Sequence, residues 1–204
     1  MATISIITPW LDASELRSIY ERTCTGAEVI VIDNGSQAHH ANAIKAMVNR
    51  LNGRYIRNET NRKFAAANNQ GVAVATGDIV LFLNNDVEAP AGWLKQVERD
   101  VKPGNLYGPS KQTRDTGPYI EGHCIAATRD TWERLNGWAE DYPGMYWEDN
   151  DLCWRASLMG IGLVETHWPV YHYGNYTSKR TNGAYDHSMA NYQELVKRIR
   201  ESAK

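Results

Sequence analysis

Short apolar runs that alternate with helix-like segments constrain the fold of this chain more than any other feature. The strongest runs are residues 4–8, 29–32 and 79–83, which read as strands buried on both faces of a sheet. Helix-like sequence lies at residues 12–24, 38–51 and 63–75, with a short strand at 54–57. This order predicts an α/β fold, with a Rossmann-like, mostly parallel sheet flanked by helices on both faces.

The second half of the chain is less regular. Predicted helices lie at residues 93–101, 130–135 and 148–159, predicted strands at 125–128, 163–164 and 170–171, and a closing amphipathic helix at 186–200. Breaks are expected at Pro103-Gly104 and Gly108-Pro109. No linker-like segment and no internal repeat divides the sequence, so we expect a single domain over residues 1–204.

Composition excludes several classes of protein. With 22 Lys and Arg against 24 Asp and Glu, and no basic block, wholesale nucleic-acid binding is not expected. The three cysteines form no metal-type pair, and their odd number favours reduced thiols and a cytoplasmic location. No leader and no apolar run of about eighteen residues occurs, so membrane insertion is not expected. The sequence indicates no oligomeric state.

Polar residues follow three of the predicted strands. Thr8-Pro9, Asp33 and Asn84-Asn85-Asp86 all fall at the carboxyl edge of a parallel sheet, where ligands of such folds bind. A carboxylate beside amide oxygens suits Mg²⁺ or Mn²⁺, so Asp86 is a candidate metal ligand, with an ordinary turn acid as the alternative. His172, which leaves a late strand, is a candidate second ligand or else a packing residue.

An acidic cluster opens the helix predicted at residues 148–159. Glu148, Asp149 and Asp151 lie next to aromatic residues. The helix dipole stabilises acids in a first turn, but neighbouring acids and an aromatic wall also raise a carboxyl pKa, as a catalytic base requires. Asp151 is expected to cap the helix or to pair with Arg155 four residues later.

Taken in order, these segments resemble the family 2 glycosyltransferases. The similar segments are residues 4–10, 31–36, 61–71, 81–86, 121–129, 148–155 and 172–178. Residues 148–155 match the family's E-D-x-D-L-C-x-R closely, and His172-x-Gly174 is similar to its H-x-G loop. The resemblance implies the GT-A fold, with a nucleotide-binding half at 1–100, an acceptor and catalytic half at 101–180, and a C-terminal helix at 183–201.

The resemblance also implies roles for individual residues. Asp149 becomes the catalytic base with Glu148 as its neighbour, and Asp86 and His172 the ligands of a Mn²⁺ or Mg²⁺ ion. Asp33 accepts a hydrogen bond from the base of the nucleotide or, alternatively, caps a helix. Donor binding is implied for Thr8, Pro9, Asp33, Asn61, Asn68, Asn84, Asn85, Gly122, Lys179 and Arg180. Trp147 is expected near the sugar.

The implied reaction is metal-dependent, inverting transfer of a sugar from a UDP- or dTDP-sugar to a hydroxyl acceptor, in glycan or polysaccharide synthesis. Two departures stand out: Asn84-Asn85-Asp86 replaces the family's D-x-D, and Lys63 replaces a glycine. The alternatives are a nucleotide-sugar-binding protein without transfer activity and a nucleotidyltransferase. The latter lacks support, because no glycine-rich phosphate loop follows the first strand.

Overall fold

A seven-stranded, mostly parallel sheet forms the centre of the computed structural model, which describes residues 2–142, 145–174 and 188–203. The strands are β1 (Ile4–Trp10), β2 (Glu28–Asn34), β3 (Arg54–Asn58), β4 (Ile79–Leu83), β5 (Val87–Glu88), β6 (Asn105–Gly108), β7 (Lys111–Arg114), β8 (Gly117–Ile120), β9 (Cys124–Thr128), β10 (Gly162–Glu165) and β11 (Tyr171–His172). The helices are α1 (Arg17–Thr23), α2 (Ala38–Arg50), α3 (Lys63–Val72), α4 (Leu94–Asp100), α5 (Arg129–Leu135), α6 (Glu148–Leu158) and α7 (Ser188–Ser202).

The strand order of the central sheet is β10-β6-β9-β4-β1-β2-β3. β1 pairs in parallel with β2 and β4, β2 with β3, and β6 with β10, whereas β9 runs antiparallel to both β4 and β6. The single antiparallel strand agrees with the predicted α/β class of mostly parallel sheet. β5 pairs with β11, and β7 with β8, as two separate two-stranded ribbons.

Two hydrophobic cores cover the two faces of this sheet, because successive strand side chains point to opposite sides. Ile6 packs in the core that includes Tyr20 of α1 and Ile44 of α2. Its neighbour Ile7 packs in the core that includes Ala67 of α3 and Leu152 of α6. Helices therefore lie on both faces, as predicted, and the chain forms a single small domain.

The structure corrects several predicted boundaries. Asp12 and Ala13 have φ of 52° and 50°, outside helical geometry, so a 3₁₀ turn at Ser14–Leu16 precedes α1 instead of a helix from residue 12. β1 continues past Pro9 to Trp10. This is possible because β4 pairs with β1 only as far as Ile7, so the Pro9 position needs no hydrogen-bond donor on that side. The third predicted helix ends at residue 72 and not at 75.

Four strands, β5 to β8, lie where no strand was predicted. All four residues of β7 are exposed and polar, so this strand lacks the apolar alternation that marks a half-buried strand. β5 has only two residues. The described part of the C-terminal helix begins at residue 188, and residues 183–187 of its predicted span lie outside the described residues. In the described ranges, no helix combines the length and apolarity needed to span a membrane.

Candidate active site

A cavity of about 520 Å³ opens at the carboxyl edge of the sheet, where the ends of β1, β2 and β4 face the start of α6. Cavities of roughly 300–1,000 Å³ are typical of small-molecule sites. The predicted site residues that line it are Pro9, Asn61, Asn84, Asn85, Asp86, Gly122, Glu148, Asp149 and His172. Segments that are far apart in the sequence therefore meet at one cavity.

A two-stranded ribbon brings Asp86 and His172 together. β5 begins directly after Asp86, and β11 pairs with it in antiparallel fashion, with His172 opposite Val87. The Tyr173 N–H donates to the Asp86 carbonyl at 3.0 Å. As a result, His172 Nε2 lies 3.2 Å from Asp86 Oδ1, and both side chains line the cavity.

The geometry of this pair fits a divalent cation. Two neighbouring ligands on an octahedral ion with bonds of about 2.1 Å lie about 3 Å apart, close to the 3.2 Å between Asp86 Oδ1 and His172 Nε2. Mn²⁺ accepts a mixed shell of carboxylate oxygen and imidazole nitrogen. Over the described ranges, no cluster of three or more His, Cys, Asp or Glu side chains is arranged to hold a metal. Among the described residues, the protein side of such a site would be this pair, with other positions left to a bound molecule or water.

A second histidine, His123, supports the first. Its ring stacks on that of His172, with centroids 4.3 Å apart and an interplanar angle of 11°. Burial, together with the adjacent His172, lowers the pKa of His123 to about 4. The His123 ring is therefore neutral at physiological pH, and it holds the His172 ring in place without adding a charge.

Asp149 is anchored by backbone N–H groups. Its Oδ2 accepts a hydrogen bond from the Gly122 N–H at 3.0 Å, and its Oδ1 accepts one from the Asn150 N–H at 2.9 Å. Burial raises the pKa of Asp149, while the Gly122 N–H opposes the rise. The residue remains partly exposed to the cavity. An anchored, accessible carboxylate with a raised pKa has the properties of a general base.

Glu148 has a different environment from its neighbour. It is only 6% exposed, and this burial, with the adjacent charge of Asp149, raises the pKa of Glu148 to about 8, although Lys63 opposes the shift. Glu148 is therefore mostly protonated at neutral pH and can donate a hydrogen bond into the cavity. Such a division of two carboxyl groups is how enzymes assign acid and base roles.

Asp151 contributes to the helix and not to the cavity. Its buried carboxylate accepts from Arg155 Nε at 2.8 Å and from the Tyr142 hydroxyl at 3.0 Å. The predicted i,i+4 pair with Arg155 is confirmed. The acidic cluster thus divides into two cavity-lining acids and one structural acid.

Asparagine side chains form much of the wall near β1 and β4. Asn61 Oδ1 accepts hydrogen bonds from the Asn34 amide and the Lys63 N–H, each at 2.8 Å. Asn85 is 3% exposed, yet its Nδ2 has no hydrogen-bond partner among the described residues. A buried donor without a partner at a cavity wall is suited to bind a ligand oxygen.

Thr8 and Asp33, which the sequence predicted to contact the nucleotide, have buried side chains that point away from the cavity. The fully buried Thr8 hydroxyl accepts from the Tyr20 hydroxyl at 2.7 Å, because its side chain points into the core. The Asp33 carboxylate is also fully buried and accepts from the Ser36 N–H, the Tyr55 hydroxyl and Arg57. Neither residue lines the cavity. Asp33 closes the turn before α2 without acting as its N-cap, which is Gln37.

Of three other predicted donor residues, one lies away from the cavity and two fall outside the described residues. Asn68 is fully buried on α3 and does not line the cavity, and neither of its amide atoms has a hydrogen-bond partner in the part of the chain that is described. The structure therefore does not bring Asn68 to the cavity with the other predicted donor residues. Lys179 and Arg180 lie outside the described residues.

The cavity also includes residues that the sequence did not assign to it. Lys63 has φ of 67°, which explains why the family prefers glycine here, and its Nζ donates to the Tyr142 carbonyl at 2.9 Å. The Arg114 guanidinium lies over the rings of Tyr119 and Trp147, at 5.1 Å and 4.6 Å. In the sequence, Lys63 at a position where the family has glycine was a signal that this residue is unusual. The exposed strand that carries Arg114 gave no signal that it reaches the cavity.

The raised pKa of Glu148 predicts a pH-dependent cost in stability. The ordinary pKa is 4.5 and the folded value about 8, so the folded state holds the proton more tightly than the unfolded chain. The folded state therefore loses stability as pH rises from about 4.5 to 8. Glu148→Gln removes the ionisable group and with it this loss of stability. We therefore expect the Tm of the variant, relative to that of the wild type, to increase as pH rises from about 4.5 to 8. The expected increase is about 2–4 °C for each kcal/mol of unfolding free energy that the variant regains.

Differential scanning fluorimetry from pH 5 to pH 8.5 measures this difference. Glu133→Gln, which removes an exposed carboxylate from α5, is the matched control. A Tm difference for Glu148→Gln that stays constant over the whole range contradicts the assigned environment of Glu148.

Comparison with solved structures places the fold among glycosyltransferases. The mannosyltransferase PcManGT from Pyrobaculum calidifontis, in complex with GDP-Man and Mn²⁺, superposes with a TM-score of 0.65 at 21% identity, covering 81% of this chain and 55% of that one. GalNAc-T7 with UDP, GalNAc and Mn²⁺ gives a TM-score of 0.71 at 14% identity, covering 97% and 48%. TarS 1–349 of S. aureus in complex with UDP gives a TM-score of 0.63 at 18% identity, covering 83% of this chain and 60% of that one. At these identities the likeness establishes the GT-A fold.

A curated relative is much longer than this chain. "Uncharacterized protein y4gI" of Sinorhizobium fredii (strain NBRC 101917 / NGR234) is 27% identical over 222 aligned positions, which cover 83% of this chain. The chain spans only 24% of that relative's length.

The family model that matches the sequence agrees with the fold and with the cavity. It is the model described as "Glycosyl transferase family 2", and it matches residues 14–141, more than half of the chain. The matched span includes β4 and Asp86, while the acid pair and His172 follow it. With its GT-A fold and a cavity at the carboxyl edge of the sheet, this chain belongs to the glycosyl transferase family 2.

Proposed function

We propose that this chain transfers a sugar from a nucleotide diphosphate donor, of the UDP- or dTDP-sugar type, to a hydroxyl acceptor with inversion at the anomeric carbon. The observation that carries the proposal is the shared cavity: the Asp86–His172 pair and the Glu148–Asp149 pair line the same 520 Å³ space. The Asp86–His172 pair suits a cation that offsets the charge of a leaving group. The Glu148–Asp149 pair suits proton transfer.

The donor is proposed to lie along the carboxyl ends of β1 and β4. Pro9 and Asn61 line the part of the wall assigned to the nucleoside, and the Asn84 and Asn85 amides face the sugar-phosphate region. The Nδ2 of Asn85, which has no hydrogen-bond partner within the described ranges, can donate a hydrogen bond to an oxygen of the donor sugar nucleotide. Amides here, in place of the family's first carboxylate, can donate hydrogen bonds to neutral or anionic oxygens.

Asp86 and His172 are the residues that would hold a Mn²⁺ or Mg²⁺ ion. The mannosyltransferase and GalNAc-T7 structures both contain Mn²⁺, which supports the same use here. When bound, a divalent cation offsets the negative charge that develops on a diphosphate leaving group. His123, stacked on His172, keeps the imidazole in its orientation.

Asp149 is proposed to accept the proton of the attacking hydroxyl. The acceptor oxygen forms a bond to the anomeric carbon as the bond from that carbon to the phosphate oxygen breaks, and the electron pair leaves with the nucleotide diphosphate. The proton passes to the Asp149 carboxylate. Gly122 and Asn150 N–H groups hold that carboxylate in position throughout. Glu148, when protonated, can donate a hydrogen bond to a molecule bound in the same cavity.

The acceptor is proposed to enter past Trp147 and Tyr119, the aromatic residues of the wall beside the acid pair. Aromatic rings with polar neighbours suit sugar faces, so a glycan acceptor in polysaccharide synthesis is our preferred substrate class. All three cysteines are buried and unpaired, which supports the predicted cytoplasmic location.

Replacement of the base should separate chemistry from binding. We expect Asp149→Asn to lower transfer by about 10²–10⁴-fold, the usual contribution of a general base, while UDP with Mn²⁺ binds as it does to the wild type. Nucleotide release from a panel of UDP-, dTDP- and GDP-sugars measures transfer, and calorimetry measures binding. In the wild type, kcat/KM should rise with pH through a pKa above that of an ordinary aspartate, because burial raises the pKa of Asp149.

Asp130→Asn, which neutralises an exposed aspartate on α5, is the control for loss of a carboxylate. Near-normal transfer by Asp149→Asn would show that another group is the base. Tight donor binding by the wild type with no nucleotide release on any acceptor would instead favour the binding-protein alternative.

Removal of the metal should stop the reaction. We expect EDTA to abolish nucleotide release and Mn²⁺ to restore it. His172→Ala should weaken Mn²⁺ binding in the presence of UDP by more than about 10-fold, since even indirect partners of a metal contribute that much. Electron paramagnetic resonance of free Mn²⁺ measures the affinity. His167→Ala, at an exposed histidine, is the matched control; full activity in EDTA rules out the metal assignment.

A further inference from the structure

The loop that leads into the acid pair has an unfavourable backbone conformation. Tyr146 and Trp147 have φ of 74° and 75°, so two consecutive non-glycine residues occupy the left-handed region. Such residues are strained, and they keep this conformation only where the surrounding structure holds them. Trp147 is also the N-cap of α6, and its side chain makes no capping hydrogen bond. The direction of the first turn of α6, and hence of Glu148 and Asp149, depends on whatever holds this loop.

A buried asparagine on α7 contacts this loop directly. Asn191 is fully buried, and its Nδ2 donates to the Tyr146 carbonyl at 2.9 Å and to the Met145 carbonyl at 3.2 Å. One side-chain amide thus binds both carbonyls at the point where the chain turns into the left-handed region. The next carbonyl, that of Trp147, accepts the Asp151 N–H at 2.9 Å and begins the helix.

Other contacts from α7 fix the same segment on both sides of Asn191. The Trp147 indole N–H donates to the Ser188 hydroxyl at 3.1 Å, and its ring lies 4.9 Å from that of Tyr192. Farther along α7, beyond Asn191, the Arg198 guanidinium pairs with the Asp141 carboxylate at 2.6 Å. α7 therefore contacts both ends of the segment that precedes the acid pair.

We propose that Asn191 is the positioning residue of the acid pair: its amide holds Tyr146 and Trp147 in the left-handed conformation that directs Glu148 and Asp149 into the cavity. This rests on the proposed function of the acid pair and extends it to α7. The family match ends at residue 141, so Asn191 lies outside the matched span. Asn191 touches no reacting group; it acts through the backbone of the loop.

The test replaces the amide while keeping its shape. Asn191→Asp removes the N–H donors and places a carboxylate against two carbonyls. We expect kcat for nucleotide release to fall by about 10- to 100-fold, since small misplacements of catalytic groups cost this much. Binding of UDP with Mn²⁺ should be unchanged, because Asp86 and His172 belong to a different ribbon. Amide hydrogen exchange at Asp151 should become faster as the loop relaxes.

Two variants on the same helix separate positioning from general stability. Gln193→Ala removes an exposed amide and should change neither readout. Leu195→Ala removes a buried side chain from α7, so it should lower Tm without lowering kcat of the folded protein. If Asn191→Asp lowers Tm and leaves both kcat and exchange at Asp151 unchanged, or if Leu195→Ala reproduces its loss of kcat, the proposal is overturned.

The exchange measurement also keeps this inference separate from the proposed function. If the wild type releases no nucleotide from any donor, the proposed function fails, while exchange at Asp151 still reports whether Asn191 holds the loop. Unchanged exchange in Asn191→Asp overturns the positioning role whatever the activity.

Discussion

The short ladder between Val87–Glu88 and Tyr171–His172 is the interaction on which the site depends. It connects the end of a central strand to a segment near the far end of the chain, and the Tyr173 N–H completes it at the Asp86 carbonyl. Without this ladder, a carboxylate at the end of β4 would be an ordinary turn acid. With it, Asp86 and His172 lie 3.2 Å apart at the wall of the cavity. The parallel sheet places strand ends at one edge, and the ribbon adds the histidine to them.

Elsewhere on the wall of the same cavity, Glu148 and Asp149 occupy an environment that opposes folding. Glu148 is buried beside a second acid, which raises the pKa of Glu148 to about 8. The two residues before it have left-handed backbone conformations. Burial of carboxyl groups and backbone strain both oppose folding, and both are concentrated between residues 146 and 149. Such a concentration is typical of functional sites, where the surrounding structure holds unfavourable geometry in place. Here the surrounding structure includes α7.

Much of this arrangement follows from local sequence. Apolar strands ending in polar residues predicted the sheet and the edge at which the cavity lies. The E-D-x-D segment predicted the acids that line the cavity and the pair of Asp151 with Arg155. Side-chain direction at a strand end was not predictable, because the alternation that sends Pro9 to the cavity also sends Thr8 into the core. The same limit applies to Asp33, whose burial depends on Tyr55 and Arg57 of the next strand.

Two other long-range contacts left no local pattern in the sequence. The exposed hairpin that carries Arg114 lacks apolar alternation, and nothing in the sequence around Asn191 indicates the loop that it contacts.

The central claim, that Asp149 activates an acceptor for a single displacement across this cavity, is tested most directly by the anomeric configuration of the product, measured by NMR spectroscopy. The account predicts a configuration opposite to that of the donor sugar. A product with the donor's configuration retained would contradict it.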